Sequence, residues 1–118
     1  MSFDLKFFDD PNEAPRPPEE VRITEVRADP LPDGRRVVVH IKLTPFLKKP
    51  NLDVTLLRDE IEERSLSIIE SIEHEMQVTL HLPSDDPAGS YTLRVDLLRE
   101  DGIQQSESVQ FDVENTAR

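Results

Sequence analysis

The chain has 118 residues, of which 36% are apolar, and it contains five Phe, one Tyr, no Trp and no Cys. This length and composition predict a single domain with one modest hydrophobic core. Without Cys the chain cannot form disulfides, thiolate metal sites or a cysteine nucleophile. Its 25 acidic and 14 basic residues give a formal charge of −11, which should repel nucleic acid and anionic membranes.

Residues 1–20 differ in composition from the rest of the chain, and we interpret them as an N-terminal arm joined to a domain at 21–118. The arm contains four of the ten prolines, at positions 11, 15, 17 and 18. Such a segment is not expected to pack as helix or sheet, and residues 11–18 should form a stiff, polyproline-like spacer. Because the first residues carry acids and lack a long apolar run, we expect no signal peptide, no membrane span and a cytoplasmic location.

The beginning of the arm is apolar. Phe3, Phe7 and Phe8 are three of the five Phe in the chain, and Leu5 stands among them. Apolar side chains at this density are seldom left in water. We therefore predict that Phe3, Leu5, Phe7 and Phe8 bind a partner, which is either another protein or a second copy of the chain.

From residue 21 onward, apolar residues recur at every second position, as in half-buried strands. The first strand, at 21–28, is less regular, and five further segments alternate clearly: 36–43, 52–56, 76–82, 91–97 and 109–113. Pro30 to Gly34 and the Asp101-Gly102 pair contain turn residues, so each predicts a hairpin between the strands beside it.

Residues 57–75 are ambiguous. They lack Gly and Pro, and some of their apolar residues have a spacing that an α-helix would accept. Against a helix stand three serines, the adjacent Ile68 and Ile69, and the absence of a capping residue before Leu57. We therefore favour a strand at 64–72 over a helix, with a loop tip at the acidic pairs 59–60 and 62–63.

Seven short strands separated by turns predict an all-β, seven-stranded antiparallel β-sandwich. Gly89 and Ser90 precede the single Tyr, Tyr91, which opens an alternating strand. This stretch resembles the start of strand F in immunoglobulin-like and fibronectin type III-like domains. The resemblance implies that the Tyr91 hydroxyl bonds to backbone upstream of it, and it implies a fold without any activity. The chain differs from antibody domains in lacking the core Cys pair and the Trp.

The sequence contains no motif that indicates an enzyme. No Ser stands in a Gly-x-Ser-x-Gly elbow, and three Gly are too few for a phosphate-binding loop, so we predict no catalytic residues and no cofactor. His40 and His81 fall on the outward positions of their strands, where they could be neighbours on one sheet. Two His form an incomplete metal site, so we predict no resident metal; His74 is expected in a solvated turn.

These features predict a non-enzymatic interaction or accessory domain, with no nucleic acid or membrane as partner. Its arm should dock onto a sheet edge or groove, in the same chain or in another. Outward apolar side chains could receive it, namely Val38, Leu57, Ile69 and Leu98. The alternative is a small-ligand or metal-ion-binding module that uses His40, His81 and the loops near them.

Overall fold

The structure is a computed structural model that describes residues 14–71, 73–83 and 85–114. The regular structure of the described chain is β-strand, apart from one short 3₁₀ turn at Pro18–Glu20 before the first strand. The strands are β1 (Ile23–Pro30), β2 (Arg36–Leu43), β3 (Asn51–Arg58), β4 (Ile61–Ile68), β5 (Glu75–His81), β6 (Gly89–Arg99) and β7 (Gly102–Val113).

The strands form two antiparallel sheets that enclose one core. The three-stranded sheet has the order β1-β2-β5, and the four-stranded sheet has the order β4-β3-β6-β7. The predicted hairpins between β1 and β2 and between β6 and β7 are present. The prediction of an all-β fold with seven strands in two antiparallel sheets is therefore confirmed.

Alternation along the strands builds the core. Every second residue of the central strands points between the sheets and is almost fully buried, as in the Val37, Val39 and Ile41 series of β2 and the Tyr91, Leu93 and Val95 series of β6. Because β2, β3 and β6 each have strands on both sides, their inward side chains are covered from all directions.

The region 57–75 contains a strand, and its bounds differ from the prediction. β4 occupies Ile61–Ile68 rather than 64–72, and a tight turn joins it to β3. In that turn Asp59 and Glu60 both have positive φ, 53° and 66°, as two-residue hairpins require. Glu62 and Glu63, expected at the loop tip, instead lie in the strand. Charged residues are common on edge strands, where they discourage pairing with other chains.

β7 is longer than the predicted strand at 109–113. The β6–β7 turn lies at residues 100–101, one position before the expected pair, and Gly102 with φ 136° begins β7. The pairing shifts between Leu97 and Leu98, which face Gln105 and Ile103 and leave Gln104 as an extra residue. Such a bulge interrupts the two-residue period, so the first half of β7 lacks the alternation by which strands are recognised.

Candidate interaction surface

The predicted bond from the Tyr91 hydroxyl to upstream backbone is present at the start of β6, and we call this arrangement the tyrosine corner. Tyr91 is 1% exposed, and its hydroxyl donates to the backbone oxygen of Pro87 in the preceding loop. The ring stacks on Phe111 of β7, with 5.3 Å between centroids and 11° between planes. This contact supports the turn into β6, so Tyr91 has a structural role.

Arg58, at the end of β3, completes the corner. Its guanidinium lies 5.5 Å from the centre of the Tyr91 ring and donates to the Tyr91 hydroxyl at 3.3 Å and to the Ala88 oxygen at 3.2 Å. Its Nε pairs with Glu63 of β4 at 3.2 Å. Burial raises the pKa of Tyr91 above its usual value. Through its contacts, Arg58 joins β3, β4, β6 and the loop before β6.

The histidines do not assemble into a site. His40 and His81 lie in the same sheet, as expected, but His40 faces Gln77 and His81 faces Arg36. Four residues of strand, about 13 Å, separate the two positions, so the expectation that they are neighbours is wrong. His40 Nε2 instead lies 3.1 Å from Asp29 of β1. Within the described ranges, no group of three or more His, Cys, Asp or Glu side chains is arranged to hold a metal.

One side of the sandwich is closed by two glutamine side chains. β1 lies beside β7 on this side. Gln105 acts as a substitute peptide group, since its Oε1 accepts from Ile23 N–H at 2.7 Å and its Nε2 donates to Ile23 O at 3.1 Å. Gln104 Nε2 donates to the oxygens of Pro18 and Val21 at 2.9 and 2.8 Å. These bonds join the edges of the two sheets.

The described residues leave the opposite side of the sandwich open. Because β1 and β7 share one side, the remaining edge strands of the two sheets, β5 and β4, lie on the opposite side. In the described part of the chain, β5 pairs only with β2 and β4 only with β3, so each has a free edge. Four inward side chains beside these edges are only half-buried against the core. They are Leu66 and Ile68 of β4 and Met76 and Val78 of β5. We call this apolar strip the open seam.

The described end of the arm is attached to the domain. Arg16 pairs with Phe46 in a parallel bridge, in which Arg16 N donates to Pro45 O at 3.0 Å and Leu47 N donates to Arg16 O at 2.9 Å. These partners follow β2 in the chain. The arm therefore leaves the described part of the protein from the connection between β2 and β3.

The residues expected to receive the arm do lie on outward positions, but they do not form one surface. Val38 is on the three-stranded sheet, whereas Leu57 and Leu98 are on the four-stranded sheet, and all three are half-buried. Ile69, just after β4, is 69% exposed. The arm residues predicted to bind, Phe3, Leu5, Phe7 and Phe8, lie outside the described residues.

Sequence reasoning did not identify the open seam. Its residues occupy inward positions of their strands, so alternation assigns them to the core in the same way as the covered residues of β2 or β6. Their partial exposure follows from their place on β4 and β5, which the division of the seven strands between two sheets leaves at sheet edges. No local pattern in the sequence encodes that division.

Comparison with known proteins adds no further information about the role of this surface. No protein-family model matches the chain, and no curated protein matches it. In the described ranges, no helix has the length and apolar character needed to cross a membrane.

Proposed function

We propose that this protein is a non-enzymatic interaction or accessory domain that binds protein through its N-terminal arm. The partner-binding residues are Phe3, Leu5, Phe7 and Phe8. The observation that carries the proposal is the open seam, an apolar strip between two strand edges with which no described strand pairs. The other side of the domain is closed by Gln104 and Gln105. Free edges beside apolar surface are the features with which β-domains bind extended segments.

We also propose that the domain is immunoglobulin-like, of the fibronectin type III-like kind. The sheet orders β1-β2-β5 and β4-β3-β6-β7 support this assignment, because the chain crosses between the sheets at the same steps as in that architecture. The Tyr91 hydroxyl bond to Pro87 supports it further. Because this fold carries many unrelated functions, the proposed role depends on the surface and the arm alone.

The proposal is tested with the full chain and a variant that carries Phe3→Ser, Leu5→Ser, Phe7→Ser and Phe8→Ser. A matched control replaces the arm acids Asp9 and Asp10 with Asn, which changes charge without removing apolar area. We call the variant with four Ser replacements the serine variant. Compared with the parent, we expect the serine variant but not the control to bind more apolar-sensitive dye, to melt at a lower temperature or to sediment at a lower mass. If the parent and this variant agree in melting temperature, dye binding and mass, these side chains contact neither their own domain nor a second copy, and the open seam no longer supports binding through the arm.

A further inference from the structure

The pattern of the arm matches the geometry of the open seam. Phe3, Leu5 and Phe7 alternate with Asp4 and Lys6, so an extended backbone places the three apolar side chains on one face and the charged ones on the other. A segment of this kind can add to a sheet edge by pairing its backbone and burying alternate side chains. The open seam offers such an edge beside half-buried apolar side chains.

We propose that residues 3–7 of the arm dock in the open seam of their own chain as an eighth strand, paired with the free edge of β5. Phe3, Leu5 and Phe7 then cover Met76 and Val78. This inference rests on the proposed function, and it names the surface that the arm occupies in the isolated protein. Docking there would extend the three-stranded sheet to four strands, matching the sheet that faces it.

The arm is long enough to reach this position. Its attachment contacts Pro45 and Leu47, which follow β2, and the place outside β5 is two strand spacings from β2, about 10 Å. Residues 8–13, which connect this attachment to the docking segment, can span up to about 20 Å. Because the connection is short and can span the distance, the chain's own arm outcompetes a second copy in dilute solution.

The point of attachment also sets the direction of the added strand. Leu43 N donates to His74 O at 2.7 Å, which places the beginning of β5 at the same end of the sandwich as the arm. When the arm enters the open seam from that end, residue 7 lies near the beginning of β5 and residue 3 lies near the end of β5. The arm therefore runs antiparallel to β5, the pairing that needs no crossover.

Cysteine pairing tests the location, because the natural chain has no Cys to interfere. In the full chain, Leu5→Cys is combined with Val78→Cys, and the matched control combines Leu5→Cys with Val109→Cys. Val109 is also inward and half-buried, but it lies in β7 on the closed side. Under mild oxidation we expect an intramolecular disulfide for the first pair, forming at least about tenfold faster than for the control because proximity raises the local concentration.

Three results would overturn the inference, and each leaves a distinct account of the proposed function. A disulfide-linked dimer as the main product of the first pair means that the arm docks on a second copy. Equal rates for both pairs, with the serine variant still destabilised, mean that the arm docks elsewhere on the protein. Equal rates with an unaffected serine variant mean that the arm docks on no surface of this protein, and the proposed function loses the support of the open seam as well.

Hydrogen exchange on the natural sequence gives a second measurement that does not depend on introduced Cys. Backbone amides of β5 that point away from β2 exchange slowly only if another strand pairs with them. We expect these amides to exchange more slowly in the parent than in the serine variant, with amides of β6 unchanged. Equal protection of the β5 amides in the two proteins would contradict strand addition.

Discussion

Replacing Tyr91 should reveal how much of the domain depends on its corner. Tyr91→Ala removes a ring that is 1% exposed, and truncation of a buried aromatic residue typically lowers the free energy of unfolding by about 3–5 kcal/mol. Part of that loss is the stacking on Phe111, a contact worth about 0.5–1.5 kcal/mol beyond burial. Tyr91→Phe keeps the ring and loses the bond to Pro87 O, so it should lower stability by about 1 kcal/mol.

Both variants can be measured by urea denaturation followed by far-ultraviolet circular dichroism, which needs no aromatic reporter. For a chain of this length, each 1 kcal/mol should lower the melting temperature by about 3–6 °C. The free energy of unfolding should decrease in the order parent, Tyr91→Phe, Tyr91→Ala. If Tyr91→Ala unfolds within about 1 kcal/mol of the parent, the ring is not part of the core, and the corner does not stabilise the sandwich.

Three further outcomes follow from the described contacts. Because burial raises the pKa of Tyr91, the native state keeps a proton that the unfolded state releases above pH about 10. The free energy of unfolding should therefore keep its full value below that pH and fall as pH rises further. Absorbance at 295 nm follows the ionisation of this single Tyr, and Tyr91→Phe should lose the tyrosine-linked part of the decline in stability. Gln105→Leu leaves the Ile23 N–H and C=O without partners, so it should lower the free energy of unfolding by about 1–3 kcal/mol in the same denaturation assay. An unchanged free energy of unfolding would mean that water replaces the glutamine side chain. Asp53 and Asp96 face each other across β3 and β6, so Asp53→Asn should raise stability by about 0.2–1 kcal/mol, more at low salt. Asp96→Ala should instead lower stability, because the buried Asp96 carboxylate accepts from Ser106 Oγ and pairs with Arg94 at 3.4 Å, and both partners would lose it. Equal effects of the two variants would refute the charge argument.

The sequence by itself determined the fold class and most of the strands. Alternation predicted β2 at its observed bounds, because only a two-residue period places all four branched apolar residues of this segment on one buried face. Tyr91 was assigned correctly for a local reason, since the preceding Gly and the alternating strand that follows lie within nine residues. In each case the decisive interactions join residues that are close in the chain.

Sequence reasoning failed where register decided the outcome. β4 begins three residues earlier than predicted because the two-residue turn at 59–60 sets its start, and the charged residues at 62–63 tolerate an edge strand. His40 and His81 lie on the same face of their sheet, and the sequence could predict this because the alternation of side chains along each strand is a local property. Their separation of four positions follows from how β2 pairs with β5, two strands that are far apart in the chain.

Only the tertiary structure distinguished the closed side of the sandwich from the open one. Gln105 closes one side through a backbone partner 82 positions away, and no sequence pattern indicates which peptide group a glutamine will meet. Leu66 and Val78 show the same alternation as fully covered residues, yet they remain half-buried because they lie on edge strands, each of which has a neighbouring strand on one side only. Exposure of an apolar side chain depends on what lies across from it, and that is a property of assembled sheets rather than of a strand.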